Sequence, residues 1–206
     1  ATYQLRSMWK RGIIHEGEFR HITKRSENEI NLGYINKDKI YDDRVYVSPS
    51  PGVPAQPIGE LERQDRWLLS LRHEGGSDRR WKTSVNYSAV SDKEYLQDIG
   101  GNVGTSVDQY NNPVESSLTD IRAPALDRIG QVQYRGDAWN LGLTLQGFQN
   151  LDPLAIEQYE KLPALNAAWR GATGPIELTS LFEYTYFDKQ NTNLIGTQGG
   201  IIGERV

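Results

Sequence analysis

Hydrophobic and polar residues alternate with a period of two along most of the chain, the spacing at which side chains point to opposite faces of a sheet. The pattern is clearest over 138–148. There Trp139, Leu141, Leu143 and Leu145 fall on one face, and Asn140, Gly142, Thr144 and Gln146 on the other. Over 80–88, Trp81, Thr83, Val85 and Tyr87 oppose Arg80, Lys82, Ser84, Asn86 and Ser88. Over 66–74, Trp67, Leu69 and Leu71 oppose Arg66, Ser70, Arg72 and Glu74, with Leu68 out of phase. Over 176–186, Ile176, Leu178, Phe182, Tyr184 and Tyr186 oppose Glu177, Thr179, Glu183 and Thr185. A first pair follows the rhythm more loosely, with Tyr3, Leu5 and Trp9 and then Ile13 and Phe19, and further strands fit at 29–36, 128–136 and 164–171. The chain opens as a strand under way and stops at Gly199–Val206 as one interrupted, the pattern expected of an internal piece of a longer protein. The expected fold is all-β: an antiparallel transmembrane β-barrel segment, nine strands and the start of a tenth, open at both edges, with 1–206 as one partial barrel domain.

The placing of the aromatic rings decides for a barrel over a soluble sandwich. The apolar face begins or ends with Trp or Tyr in strand after strand: Trp9, Trp67, Trp81, Trp139, Trp169 and Tyr186. In an outer-membrane barrel these rings form girdles facing lipid at the two interfaces. The connections agree. Short turns at 25–28, 75–78, 136–137 and 171–175 are mostly rich in Gly, Asp, Asn and Ser, as tight hairpins require. Longer links lie at about 37–64, 91–127, 149–162 and 188–196. Long and short links alternate, with the tight Arg11-Gly12 as the exception, and transmembrane barrels pair short periplasmic turns with longer external loops in this way. The Pro-rich stretch Ser48–Pro57 cannot pair as a central strand.

Composition narrows the remaining chemistry. No stretch approaches the roughly 20 apolar residues of a spanning helix. A net charge of −4 gives no nucleic-acid footprint, and with no Cys the chain holds neither disulfide nor thiolate metal site. His15 and His21 share a face but stand about 20 Å apart along a strand, so no metal site is expected. Glu16, Glu18 and Arg20 share the inferred inner face of one strand. They could do acid–base work, but charged residues line the lumen of most large barrels, and Arg80, Lys82, Asn140 and Gln146 read as lumen-facing with them. No nucleophile elbow, phosphate loop or dinucleotide fingerprint is present, so neither enzyme nor cofactor is expected.

Three segments carry a resemblance. Met8–Arg20 is similar to an "RRG…ENEFRYL" hairpin, Ile30–Asp43 to "LDYLPSDKVYED", and Arg79–Leu96, with its Tyr-x-x-Val-Ser-Asp-x-x-Tyr exit, to "VDYTKVSDPSYFND". These belong to the outer-membrane lipopolysaccharide-assembly family LptD, and their order and spacing agree across about 1–100. The resemblance implies an early part of a barrel of about 26 strands. It also implies a Gram-negative outer-membrane location and insertion of lipopolysaccharide into the outer leaflet. A lipoprotein plug, LptE, and a periplasmic bridge, LptA, would be the partners, the bridge reached only through a jellyroll absent from this chain.

Two other functions compete: a porin-like or substrate-specific channel, and a soluble carbohydrate-binding sandwich using Trp and Tyr as sugar platforms. The long link 91–127 is the expected seat of function. Ser91-Asp92 should cap a short helix over 93–98, stopped by Gly100-Gly101. Tyr95, Leu96, Ile99 and Tyr110 would anchor the link against the barrel or the plug.

Overall fold

The computed structural model describes residues 1–42, 44–48, 52, 54–58, 63–77, 79–100, 124–151, 158–188 and 203–205. In chain order the elements are β1 (Thr2–Met8), β2 (Gly12–Ile22), β3 (Ser26–Ile35), β4 (Val45–Val47), β5 (Gln56–Ile58), β6 (Arg66–Gly75), β7 (Trp81–Val90), α1 (Tyr95–Asp98), β8 (Ala125–Arg135), β9 (Trp139–Asn150), β10 (Glu160–Thr173), β11 (Ile176–Asp188) and β12 (Gly203–Arg205).

Alternation places most of these residues in strands, and next-neighbour pairing joins the strands into a single meander. Ten strands run in the order β1-β2-β3-β6-β7-β8-β9-β10-β11-β12, and β4 and β5 form a separate hairpin inside the link between β3 and β6. Every neighbouring pair in the large sheet is antiparallel. The order is linear, so the sheet is an open barrel segment and does not close on itself. The Pro-rich link supplies β5, with Pro57 opposite Tyr46 in a two-stranded pair, where a missing N–H is tolerated. β10 is longer than its alternation suggests. A register shift between Lys161 and Ala164 admits Pro163 at a bulge.

The register keeps the two faces chemically distinct across the sheet. Phe19, Ile30, Leu71 and Tyr87 are successive cross-strand partners, as are Tyr134, Leu141, Ala167 and Phe182. Trp81 pairs with Tyr134, which joins the two rows on one apolar face. No second sheet packs on that face among the described residues. Leu5, Phe19, Leu32, Leu141, Leu145, Leu165 and Phe182 on it are all exposed. Apolar exposure on this scale is foreign to a soluble monomer, so the sandwich reading is not upheld. No helix among the described residues is long and apolar enough to cross a membrane.

The short turns after β2, β6, β8 and β10 lie at one end of the sheet. The turn after β2 is closed by the Thr23 hydroxyl, whose oxygen accepts N–H bonds from Arg25 at 3.1 Å and Ser26 at 2.9 Å. The turn after β8 is closed by Gly136 N–H on Trp139 O at 2.7 Å. The tight Met8–Arg11 turn and the long links share the other end. Rings mark both ends of the apolar face. Trp81 stacks obliquely on Tyr134 at 4.9 Å and Trp139 on Trp169 at 6.4 Å at the short-turn end, while Trp67 opposes Tyr34 at the long-link end.

Candidate functional site

The buried apolar cluster lies on the polar face, beneath the segment that follows β7. Ile14, Ile35, Leu68 and Val90 pack there with Tyr95, Leu96 and Ile99. Leu68, out of phase in the sequence, is thereby explained: it points to the polar face and is covered by this segment. Alternation obliges a strand to be polar on its inner side only where water reaches it, and here α1 excludes water.

The local sequence builds this covering. The Asp92 carboxylate accepts from Glu94 N–H at 3.1 Å and from the Ser91 hydroxyl at 2.6 Å, and its carbonyl accepts Tyr95 N–H at 3.3 Å. One helical turn follows, closed by Asp98 N–H to Glu94 O and Ile99 N–H to Tyr95 O, both at 2.9 Å. Gly100 then takes φ +79°, which ends the turn at low steric cost. Tyr95 lies over Gly33, where a Cβ would fall 2.6 Å from the Tyr95 hydroxyl, so the ring seats only on a glycine. Burial pushes the Tyr95 phenol up to about 12.

A charged knot fastens the same segment. Arg66, fully buried at the start of β6, makes a bidentate pair with Asp92 at 2.7 and 2.8 Å. Its Nη1 donates to Asp38 and to Asp98, each at 2.9 Å. Arg11, from the tight turn, bridges Asp38 at 2.7 Å and Asp98 at 3.1 Å. The Tyr41 ring stacks on the Arg66 guanidinium at 4.1 Å. Burial alone would raise the Asp38 carboxyl, but Ile40 N–H, Arg66 and Arg11 outweigh it and hold it below its ordinary 3.8. Arg6 adds an outer tie, donating to Ile99 O at 3.0 Å and to Glu16 at 2.9 Å. Four separate stretches of chain, the first turn, the link after β3, the start of β6 and the link after β7, thus meet in one knot of two guanidinium groups and three carboxylates.

Among the residues singled out from the sequence, Tyr95, Leu96 and Ile99 are buried together in this cover. Tyr110 lies outside the described residues. Glu16, Glu18 and Arg20 share the polar face, with Glu16 buried against Arg6, and Arg20 beside Glu18 and Glu29. Lys82 pairs with Gln133, Asn140 with Arg135 and Gln146 with Ile129 on that face. Arg80 lies in the turn before β7, 3.4 Å from Asp137. Trp67, Trp81, Trp139, Trp169 and Tyr186 all lie on the apolar face, and Trp9 is almost wholly exposed in the first turn. Sequence reasoning passed over Arg11, Asp38, Arg66 and Asp98. The signal available was the apolar residues interrupting polar rows near the long-link end, Ile14, Ile35, Leu68 and Val90, together with Arg66 closing an apolar run.

The sequence profile of the family described as "LptD: LPS transport system D" matches residues 64–198. The chain belongs to the LptD family. It is 33% identical over 165 residues to the LPS-assembly protein LptD of Pseudomonas savastanoi pv. phaseolicola, covering 80% of this chain and 15% of that protein. It is 31% identical over 209 residues to that of Pseudomonas aeruginosa strain UCBPP-PA14, covering 100% of this chain and 20% of that protein. The chain therefore spans about a fifth or less of the LptD proteins it matches. The similarity runs well beyond residue 100, where the quoted segments end. Those three LptD-like segments carry Arg11, Asp38 and Asp92, and of these Asp92 also lies within the matched residues 64–198.

Proposed function

We propose that this chain is one part of the wall of an outer-membrane lipopolysaccharide translocon. Its apolar face meets lipid, its polar face lines the lumen, and the α1 segment narrows that lumen from within. The observation that carries the reading is the apolar face itself: one exposed surface over nine long strands, ringed at both ends, on a sheet whose family is the lipopolysaccharide-transport protein LptD. Residues 1–206 form one partial barrel domain in a larger closed barrel, since unpaired strand edges are not tolerated in hydrocarbon.

The chemistry asked of this chain is passive. Phosphorylated sugars pass along a face bearing Glu18, Arg20, Lys82, Asn140 and Gln146, while acyl chains keep to apolar surface. The role is transport rather than catalysis. A lipoprotein plug of the LptE kind fills the remaining lumen, and a bridge of the LptA kind delivers substrate through a jellyroll outside this chain. The fully buried Tyr95 and Leu96 are spent on the wall itself, so the plug meets the outer side of this cover.

Facing is tested by spin labels placed singly at 140–146 in the full-length protein in bilayers. Labels at 141, 143 and 145 should collide with dissolved oxygen and be shielded from a water-soluble nickel chelate, and labels at 140, 144 and 146 the reverse. Uniform accessibility to the chelate at both sets would defeat the assignment. Function is tested by depleting the native protein, supplying a version with 92–99 deleted, and measuring the arrival of new lipopolysaccharide at the cell surface beside permeability to large antibiotics. Intact arrival with raised permeability is expected, and an unchanged barrier would refute the role of the segment.

A further inference from the structure

Among the described residues, three side-chain atoms are buried with no hydrogen-bond partner: Arg6 Nε, Asn31 Oδ1 and Ser88 Oγ. Two of them share one row. Register sets Asn31 opposite Ser70 and Ser70 opposite Ser88, so the row crosses β3, β6 and β7 on the polar face. Small polar residues on such a face are ordinarily wet. Here Asn31 is 3% exposed, Ser70 7% and Ser88 1%.

Each orphan asks for a small partner. Asn31 Nδ2 donates to Glu29 Oε1 at 2.8 Å. A carboxylate accepts there, so the amide cannot be turned over, and Oδ1 is left as an acceptor that meets no donor. The Ser88 carbonyl takes Arg128 Nε at 3.3 Å, but the Ser88 hydroxyl neither donates nor accepts. A buried polar group left dry forfeits its hydration with nothing in return. The row also borders the seat of the α1 segment. Gly33 is two residues from Asn31 on the same face of β3, and the Tyr95 hydroxyl lies over it, 2.6 Å from where a Cβ would stand.

The spacing of the row fits water. Neighbouring strands lie about 4.8 Å apart. Two hydrogen bonds of about 2.8 Å that meet at a tetrahedral oxygen span about 4.6 Å. One water between Asn31 and Ser70 and another between Ser70 and Ser88 therefore fit the ladder. Water brings the donor that Asn31 Oδ1 lacks, and it can give to or take from the Ser88 hydroxyl. A metal ion suits the row less well, because no group of three or more His, Asp or Glu able to hold one occurs among the described residues. A sugar is too large to enter while the row is this deeply covered.

We propose that the row Asn31–Ser70–Ser88 is a buried water-binding site beside the seat of Tyr95. The cover is then held in two ways. Leu96 and Ile99 rest on apolar side chains toward the long links, and Tyr95 borders a hydrated polar row toward the short turns. The bound water satisfies groups that would otherwise oppose closing the cover over them. The site depends on the register and the cover alone, whatever passes through the lumen.

The test compares two sources of hydroxyl radical on the full-length, plugged protein in lipid nanodiscs, with the products read by mass spectrometry. X-rays split water wherever it is bound, inside the protein as well as outside. Photolysis of hydrogen peroxide makes radicals in bulk solvent, and a ring as buried as Tyr95 is shielded from them. Tyr95 should gain oxygen under X-rays and stay unmodified under photolysis. Asn31→Leu should abolish the X-ray product at Tyr95, and Ser88→Thr, which keeps a hydroxyl, should retain it. The comparison of the two sources on the unaltered protein needs no variant to fold. No product at Tyr95 under X-rays, equal product from both sources, or an unchanged yield in Asn31→Leu would overturn the site.

Discussion

Replacing Arg66 by Met tests whether the charged knot, rather than apolar contact alone, holds the α1 segment on the wall. Methionine keeps much of the stem's packing while deleting the guanidinium and, with it, the cation–π contact with Tyr41. Four charge-assisted bonds disappear, at 2.7, 2.8, 2.9 and 2.9 Å. Asp38 keeps Arg11 at 2.7 Å and Ile40 N–H at 3.0 Å, and Asp98 keeps Arg11 at 3.1 Å. Asp92 keeps only the Ser91 hydroxyl and Glu94 N–H, with its own relative exposure at 12%. Breaking a buried pair from one side costs about 3–5 kcal/mol. The surviving partners of Asp38 and Asp98 put this case at about 3 kcal/mol, or about a hundredfold in the opening equilibrium at 1.36 kcal/mol per decade. Hydrogen exchange of the Asp98 and Ile99 amides in the full-length protein reads that opening directly, because their acceptors are Glu94 O and Tyr95 O within the segment. Exchange there should rise about a hundredfold, while β7 amides stay protected. Arg80→Met is the control: its pair with Asp137 is 3.4 Å long and exposed, worth under about 1 kcal/mol. An unchanged exchange rate at 98 and 99 in the Arg66 variant, or an equal rise in the Arg80 variant, would refute the knot.

Gly33→Val should push the Tyr95 ring off its seat at a cost of about 1–3 kcal/mol; antibiotic permeability should rise while heat-resistant barrel migration on gels persists, and unchanged permeability would argue against the close approach. Leu96→Ala should weaken the cover by about 2–5 kcal/mol, seen as faster exchange at Ile99, with Leu181→Ala on an exposed position as the silent comparison. The folded Asp38 carboxyl lies below its unfolded value, so its stabilisation is present above about pH 4 and is lost as pH falls through the folded value. The folded Tyr95 phenol lies above its unfolded value near 10, so its share is full below pH 10 and is lost as pH rises through about 12. Exchange at Ile99, corrected for intrinsic rate, should therefore be flat from about pH 5 to 9 and accelerate outside those limits. Acceleration centred near pH 6.5 would point to a histidine instead.

Most of the wall was legible from the sequence because β-structure is written in a period of two that needs no distant partner to read. Trp139, Leu141, Leu143 and Leu145 could fall on no other single face once 138–148 was a strand, and a one-residue slip would have reversed every assignment. Turn chemistry at Gly136-Asp137 located its hairpin for the same local reason, whereas the turn expected at 25–28 lies earlier, at Thr23–Ser26, because the Thr23 hydroxyl closes it and β3 already starts at Ser26; the meander followed from neighbours pairing with neighbours. The Gly100 stop of α1 is a local device too, but the expected Ser91-Asp92 cap of a helix over 93–98 is not: α1 starts at Tyr95 after Glu94, and Asp92 closes the turn before it.

The knot was not legible. Arg11, Asp38, Arg66, Asp92 and Asp98 are scattered over 88 positions, and each alone reads as an ordinary surface charge. Nothing in the spacing of a strand says which link folds back over the sheet, since that depends on where the register places Ile14, Ile35, Leu68 and Val90 side by side. The same holds for Arg128. Its neighbours in sequence, Asp127 and Ile129, disclose no face, and only the pairing with Tyr87 and Gly147 shows that it shares a row with Val132 and Tyr134. Local periodicity determined which residues share a face. Tertiary register decided which charges meet, because Coulomb and hydrogen-bond partners are chosen by distance in space and not by separation along the chain.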